Sequence, residues 1–176
     1  MRFSTGTYAG LIEQLRMVAI NSGSFEQRER MRDNMLRIIV RTFDASGAYL
    51  YQLEQDEKHM LLRHQYQGGR NSTQLERQNR FPINDLGAFT SWLYGDNSEP
   101  RVVHLHDLAE NDPERKHITK LDAMNVMFGT ITYNSQLWGL LEISDSRVNR
   151  RFGEGDFRRL LHMSQCLGDT ILTDEG

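Results

Sequence analysis

The sequence predicts an α+β domain built on a mostly antiparallel sheet. Two apolar runs, Val126–Tyr133 and Gln136–Ser144, flank Asn134 and Ser135, two residues that favour a tight turn, so a central hairpin is expected. Two amphipathic stretches precede the other strands and one follows the hairpin. The resulting order is two helices, two strands, a variable insert, two more strands and a helix.

The two leading helices are predicted from apolar spacing and from one cap. Between Thr7 and Ile20, apolar residues recur at spacings of three and four, the period of an amphipathic helix. These residues are Tyr8, Leu11, Leu15 and Val18. Ser24 stands three residues before Gln27, a capping-box pattern that opens a second helix running to about Phe43.

Short elements follow in the middle of the chain. Ala48–Leu53 and Met60–Tyr66 are predicted to be two strands joined by a polar connection. Phe81-Pro82-Ile83 is expected at a sheet edge, because proline cannot donate a ladder hydrogen bond. Ala88–Tyr94 favours a short helix and Arg101–Leu105 a short strand. The polar stretch 70–80 is predicted to be an exposed helix or a mobile loop, and 110–121 to have weak helical character.

The closing helix is predicted to start after Gly153. Glu154 and Asp156 fall in its first turn, where the helix dipole favours negative charge. A seam of residues in steps of three and four follows, with Leu161 and Leu172 beside it. The seam residues are Phe157, Leu160, Ser164, Leu167 and Ile171. Either the seam or its neighbours is expected to face the sheet, and the other set to face a partner chain.

Length and composition describe one ordinary globular domain. A chain of 176 residues can bury an ample core, and its net charge of −3 gives no basic footprint for nucleic acid. No apolar run approaches the roughly 20 residues that span a bilayer. The N-terminal sequence lacks the apolar region of a signal peptide. Cys166 is the one cysteine, so an internal disulfide is excluded, and the lack of a signal peptide predicts a cytoplasmic location.

Five stretches of the chain form a pattern by their order and spacing. They are Ala48–Tyr51 after a helix, Phe81-Pro82-Ile83, the run VVHLHD at Val102–Asp107, the run LWGLLEI at Leu137–Ile143, and Arg151-Phe152 followed by Asp156 and the closing helix. With these stretches the chain resembles a GAF domain from about Ser24 to Leu172. The resemblance favours a GAF fold over a PAS fold, because two helices lead the chain and a long helix closes it.

The resemblance implies a GAF-like (profilin-like) α+β fold, with the N- and C-terminal helices on one face of the sheet. A ligand pocket is expected on the other face, roofed by the insert between strands. Dimerisation through the terminal helices and a linked effector domain downstream are also implied. The corresponding division is a dimerisation helix at 1–23 and a GAF domain at 24–176. GAF domains are mostly sensory or regulatory, and the fold leaves the ligand open.

Some GAF domains have specialised functions that require particular residues, and the sequence can be searched for those residues. Bilin-binding members hold the chromophore through a thiol, and members that reduce free methionine sulfoxide need pocket cysteines. Cys166 lies on the closing helix, away from the expected pocket, so neither covalent bilin binding nor reductase activity is predicted. The motif of cyclic-nucleotide-binding members, a Gly-rich phosphate loop and a CxxC pair are not found. The sequence therefore predicts neither an enzyme nor a bound cofactor.

The last predicted strand has two faces, one of which carries a glycine. The first face consists of Leu137, Gly139, Leu141 and Ile143. A glycine there lets a helix approach closely, so the terminal helices are expected on that side. Trp138 and Glu142 would then point to the other side, where the pocket is expected. A shift of one residue in the strand would exchange the two faces.

Glu142 and several aromatic residues are the predicted ligand contacts. A carboxylate in so apolar a strand needs a partner or loses its charge. We expect Glu142 to accept a hydrogen bond or a cationic group from a ligand; an arginine of the loop 147–151 and exposure at the sheet margin are the alternatives. The predicted ligand-binding residues are Phe81, Phe89, Phe128, Trp138 and Glu142, with Trp92 and Tyr94 as further aromatic candidates. Plain core packing is the alternative role for the aromatic residues.

Two polar groups have both a functional and a plain explanation. His104 and His106 share a strand face next to Asp107, and such nitrogen and carboxylate ligands can hold zinc. Because His-x-His alone is a frequent chance pattern, we favour a half-exposed histidine pair and predict no metal site. The arginines of the loop 147–151 suggest a phosphate site, but solvation or pairing with Asp145 is favoured.

The leading functional hypothesis is a cytoplasmic, homodimeric sensory domain that binds an unknown small molecule non-covalently and regulates a linked output domain. Neither nucleic acid nor a membrane is an expected partner. The alternative is a GAF fold that binds no ligand and serves as a dimerisation or protein-interaction module.

Overall fold

A computed structural model of the protein describes residues 5–21, 24–68, 80–121 and 123–175. The helices are α1 Thr5–Asn21, α2 Phe25–Phe43, α3 Ala88–Tyr94, α4 Pro113–Lys120 and α5 Glu154–Glu175. The strands are β1 Gly47–Leu53, β2 His59–Gln67, β3 Arg80–Pro82, β4 Arg101–His104, β5 Asn125–Tyr133 and β6 Gln136–Asp145. A short 3₁₀ helix, Leu105–Asp107, follows β4.

The six strands form one antiparallel sheet in the order β3-β2-β1-β6-β5-β4. This arrangement confirms the predicted α+β class. The hairpin of β5 and β6 lies inside the sheet, and the proline-containing strand β3 lies at an edge, both as predicted. Asn134 and Ser135 have positive φ values of 49° and 61°, the backbone conformation that a tight hairpin turn requires.

Local capping chemistry explains where two of the helices begin. The Ser24 hydroxyl accepts a hydrogen bond from the Gln27 backbone N–H at 3.0 Å, which confirms the predicted cap of α2. The Asp112 carboxylate accepts one from the Glu114 N–H at 2.9 Å, and Pro113 fills the first helical position. This second cap accounts for a well-formed α4 in a segment whose apolar period is weak.

The helices α1, α2 and α5 cover one face of the sheet, which we call the helical face. The buried residues of this face include Ile12, Met35, Leu36, Ile39, Val40, Phe43, Ala48, Leu50, Leu141, Ile143, Leu160, Met163, Cys166, Leu167 and Ile171. The helix α5 approaches the sheet closely at Gly129 of β5. A Cβ atom on Gly129 would lie 2.9 Å from the Ser164 hydroxyl oxygen and 3.1 Å from Leu160.

The helices α3 and α4 cover the opposite face, which we call the aromatic face. Its buried residues include Tyr49, Tyr51, Met60, Phe81, Ile83, Phe89, Leu93, Ile118, Val126, Phe128 and Leu140. Alternation along β1 sends Ala48 and Leu50 to the helical face and the two tyrosines to the aromatic face. The sheet therefore separates two apolar cores.

A β-bulge in β6 overturns part of the predicted face assignment. Ile131 pairs with Gly139 and Thr132 with Leu137, which leaves Trp138 as the extra residue. Consequently Trp138 packs on the helical face and Leu137 on the aromatic face, the reverse of the prediction. The prediction that a helix approaches Gly139 is also wrong, because the close neighbour is the backbone of β1, at Tyr51.

Two predictions concern residues outside the described part of the chain. The first is the exposed helix or mobile loop predicted for the polar stretch, whose residues 70–79 are not described. The second is the predicted role of Tyr8 and Leu172 on the terminal helices, because the side chains of these two residues are not described. Among the described residues, no helix combines the length and the apolar character that crossing a membrane requires.

Candidate functional site

A connected set of rings lies on the aromatic face, and we call it the aromatic cluster: Tyr51, Phe81, Phe89, Trp92, His117 and Phe128. Phe81 of β3 meets Tyr51 of β1 edge-on, with 5.0 Å between ring centroids. Phe89 of α3 meets Phe128 of β5 in the same way, also at 5.0 Å. Edge-to-face pairs of this kind add about 0.5–1.5 kcal/mol each beyond area burial.

The two short helices complete the aromatic cluster from above the sheet. His117 of α4 lies over Phe81, with 4.5 Å between the ring centroids. Trp92 of α3 lies 5.9 Å from Phe89, and its indole Nε1 donates a hydrogen bond to the Glu99 carbonyl oxygen at 3.0 Å. The cluster therefore has one wall from the sheet and one from α3 and α4.

Glu142 adds a fully buried carboxylate to this face. It is 0% exposed, and its register partners are Phe128 on β5 and Tyr49 on β1. Residues directly opposite each other on neighbouring strands point to the same face, so Glu142 lies beside the aromatic cluster as predicted. A buried ionisable group among apolar side chains is a recognised mark of a functional site.

The arginines that follow β6 serve other partners. Arg147 donates to the Asp145 carboxylate at 2.7 Å, and this hydrogen bond is the main reason why the pKa of Arg147 is raised above its ordinary value. Arg150 donates to the carbonyl oxygen of Phe43 at 2.6 Å. The predicted pairing of the loop with Asp145 is confirmed, and the Arg150 hydrogen bond ties the loop to the end of α2.

The structure brings four of the five predicted site residues together and leaves the fifth apart. Phe81, Phe89, Phe128 and Glu142 share the aromatic face. Trp138 lies across the sheet, because the bulge turns it towards the helices. Whether any of them contacts a ligand stays a prediction.

The two further aromatic candidates have different outcomes. Trp92 belongs to the aromatic cluster. Tyr94 is 52% exposed, and its hydroxyl donates to the Glu57 carbonyl oxygen at 2.7 Å, so it fastens α3 to the hairpin of β1 and β2.

Sequence reasoning missed three residues of this site. Tyr49 and Tyr51 alternate with Ala48 and Leu50, which places both tyrosines on one face; that alternation was the available signal. His117 carried no such signal, because α4 has weak apolar periodicity and its position over Phe81 depends on the tertiary fold.

His104 ends β4, but His106 lies in the 3₁₀ helix that follows, so the two histidines do not share a strand face as predicted. His104 is buried; its Nδ1 accepts from the His106 backbone N–H at 3.2 Å, and its Nε2 lies 3.1 Å from the Val148 carbonyl oxygen. Neither histidine belongs to a three-ligand cluster among the described side chains. Both ring nitrogens of His104 thus have a structural role, and the expected half-exposed pair is wrong for His104.

The thiol lies on the other side of the sheet from this site. Cys166 is 2% exposed and packs in the core of the helical face. Because it is the chain's one cysteine, no thiol is available to the aromatic cluster.

Comparison with known proteins identifies the fold. No protein-family model matches the chain, and no curated protein matches its sequence. Solved structures do match: the phycoerythrobilin-bound GAF domain from a cyanobacterial phytochrome is 12% identical, with a TM-score of 0.78 over 99% of this chain and 98% of that one. The chain has the fold of a GAF domain.

Other GAF structures show how varied this fold is. The GAF domain of an Acinetobacter phosphoenolpyruvate-protein phosphotransferase is 15% identical, with a TM-score of 0.66 over 99% of this chain and 97% of that one. A free methionine-R-sulfoxide reductase from Neisseria meningitidis, in complex with its substrate, is 13% identical, with a TM-score of 0.71 over 99% and 94%. At such identities the likeness establishes the GAF fold, and function must be argued from the site.

Proposed function

We propose that this GAF fold is a cytoplasmic sensory module that binds a small molecule non-covalently on the aromatic face of its sheet. The observation that carries the proposal is the fully buried carboxylate of Glu142 beside the aromatic cluster. Rings and one ionisable group in a water-poor setting are typical of small-molecule sites. The phycoerythrobilin bound to a GAF domain of the same fold supports it further.

The lining chemistry defines a class of ligand. The rings of Phe81, Phe89 and Phe128 favour a flat, conjugated or aromatic molecule, because such surfaces stack well. The carboxylate of Glu142 favours a hydrogen-bond donor or a cationic group on that molecule. Attachment is non-covalent, because Cys166 packs on the helical face.

Native mass spectrometry of the purified protein tests this proposal. After metal ions have been removed with a chelator, we expect a mass above that of the polypeptide under native conditions, and the polypeptide mass alone after denaturation. The variant Cys166→Ser should keep both the fold and the bound molecule, since a buried thiol mostly fills space. An added mass that survives denaturation, or that disappears in Cys166→Ser, would contradict non-covalent binding on the aromatic face.

The second candidate function is an interaction module that carries no ligand. It is favoured by the packing of the rings on one another, since Phe81 is 2% exposed and Phe89 and Phe128 are 0% exposed. The polypeptide mass alone under native conditions would support this alternative.

We further propose that the protein is a homodimer that signals through α1 and α5 to a linked domain. Ile12 is buried and holds α1 on the domain, whereas Leu11 and Val18 are 39% and 54% exposed on another side of the helix. Exposed apolar stripes mark surfaces that pack against a partner. On α5 the seam residues Leu160 and Leu167 face the core, and Leu161 is 42% exposed. In a bacteriophytochrome the match spans 37% of that chain, which supports a multidomain setting.

The double variant Leu11→Glu/Val18→Glu is expected to be monomeric, because each carboxylate would have to lose its water in the interface. Sedimentation equilibrium at tens of micromolar, about the range in which a micromolar dimer assembles, should show a dimeric parent. Val148→Glu is the matched control, since Val148 is 53% exposed on the loop before α5 and should leave the dimer intact. A monomeric parent protein at this concentration would contradict the proposed dimer interface. The division of the chain into a dimerisation helix at 1–23 and a GAF domain at 24–176 is part of this proposal.

A further inference from the structure

Three side chains of different chemistry converge where α1 meets α5. Glu13 comes from α1, and His162 and Cys166 come from α5. Each offers one possible metal-ligating atom, and the three atoms lie within 4.8 Å of one another. None of them belongs to the aromatic cluster, since Cys166 packs on the helical face.

The distances match those of a single metal ion. The carboxylate oxygen Oε1 of Glu13 lies 2.8 Å from His162 Nε2 and 3.4 Å from Cys166 Sγ, and the sulfur lies 3.7 Å from Nε2. Around tetrahedral zinc, with bonds of about 2.0–2.3 Å, ligand atoms are separated by roughly 3.3–3.7 Å. Two of the three separations agree already, and the third needs an opening of about half an ångström.

The fold holds the three ligands in place before any ion arrives. His162 and Cys166 are four residues apart on α5, so their side chains lie one turn apart on the same side of the helix. The second oxygen of Glu13, Oε2, is held by Arg16 at 2.9 and 3.0 Å. That contact leaves Oε1 directed at the histidine and the cysteine, as outer-shell partners of metal ligands do. Arg16 also pairs with Asp169 of α5 at 3.1 Å, which balances its charge.

We propose that Glu13, His162 and Cys166 form a binding site for a borderline-soft divalent metal ion of the zinc class. Imidazole and thiolate donors select zinc-class ions over magnesium and calcium, which prefer oxygen ligands. Binding releases the thiol proton, because the thiolate is the form that ligates. His162 and Glu13 are each 41% exposed, so an ion can reach the site from solvent and a water can complete its coordination. An ion there would clamp α1 to α5.

A second polar cluster provides a control within the same chain. Glu54, Asp56 and His59, on the hairpin of β1 and β2, also bring three possible ligand atoms together. This cluster lacks a thiol, and Arg80 occupies its carboxylates at 2.7 Å from Glu54 and 3.7 Å from Asp56. We therefore expect zinc to prefer the α1–α5 site.

The test is a zinc titration of the full chain, prepared without a polyhistidine tag and stripped with a chelator. Competition with a chromophoric chelator should give one zinc ion per chain with a dissociation constant of about 1 μM or tighter. Cobalt added alone should give a thiolate-to-metal charge-transfer band. His162→Gln and Cys166→Ser should each weaken zinc binding by at least about 100-fold, and Cys166→Ser should abolish the cobalt band.

Two controls keep the outcome decisive. His59→Gln should bind zinc as the parent does, and circular dichroism should show that the apo form of His162→Gln folds normally, because this side chain is partly exposed. Absence of zinc binding by the parent at tens of micromolar would overturn the site. Undiminished binding by His162→Gln, or loss of binding in His59→Gln, would do the same.

Discussion

Replacing Gly139 with alanine is expected to lower the free energy of unfolding by at least about 3 kcal/mol, or to prevent folding. A Cβ atom at this position would lie 1.9 Å from the Tyr51 carbonyl oxygen and 3.1 Å from the Gln52 Cα atom. These atoms belong to the backbone of β1 and cannot rotate away as a side chain would. Either β1 must shift, with Tyr51 of the aromatic cluster, or the central ladder must break.

Urea denaturation followed by circular dichroism measures the effect. Gly155→Ala is the matched control, because nothing lies within 4 Å of a Cβ atom built there, in the first turn of α5. That control should be neutral or more stable by up to about 1 kcal/mol, since alanine favours helix more than glycine does. An unchanged urea midpoint for Gly139→Ala would show that the close contact between β1 and β6 is wrong.

Arg101→Met is expected to cost about 3–5 kcal/mol, because it leaves a buried carboxylate without its cation. Arg101 of β4 donates through Nε to Glu114 Oε2 at 2.8 Å, and through its terminal nitrogen to Oε1. Glu114 of α4 is 0% exposed, so water cannot replace the guanidinium. Because α4 also carries His117, the substitution should loosen one wall of the aromatic cluster.

The same denaturation experiment, with two companion variants, separates burial from charge. Arg151→Met breaks an ion pair with Asp107 whose side chains are 59% and 66% exposed, and it should change stability by less than about 1 kcal/mol. Arg101→Met/Glu114→Leu removes both charges and should recover much of the loss. Equal effects of Arg101→Met and Arg151→Met would contradict the buried pair.

The elements that a local pattern encodes could be predicted from the sequence. The hairpin of β5 and β6 has its turn residues at Asn134 and Ser135, and α2 has its cap at Ser24. The edge position of β3 follows from Pro82. In each case the physical cause lies within a few neighbouring residues, so no tertiary information is needed.

The bulge at Trp138 could not be placed from one sequence. A glycine in a strand indicates a bulge or a close backbone approach. Gly139 gives that signal, but it does not determine which face of the sheet Leu137 and Trp138 point to. The extra residue exchanges Leu137 and Trp138 between the faces while Glu142, beyond the bulge, keeps its predicted face. Register beyond a bulge depends on the partner strand, which the sequence of β6 does not contain.

Sites assembled from distant segments were also beyond the sequence. Glu13 and Cys166 are 153 residues apart and meet because α1 packs against α5. No local spacing in the sequence points to this cluster, because metal-ligand motifs join residues that lie close together along the chain. The aromatic cluster was partly predicted, because the sequence shows which residues are aromatic. Which rings contact each other, such as His117 on Phe81, is determined by the tertiary fold.

Tryptophan fluorescence tests most directly whether the ligand binds on the aromatic face. The chain has two tryptophans, Trp92 in the aromatic cluster and Trp138 on the helical face, so each face carries its own reporter. The molecule recovered by denaturing the purified protein is added back to Trp138→Phe and to Trp92→Phe, and binding to both is checked by native mass spectrometry. Quenching or a spectral shift of Trp92 in Trp138→Phe, with unchanged Trp138 emission in Trp92→Phe, is the predicted result. A response of Trp138 with none from Trp92 would contradict a ligand on the aromatic face.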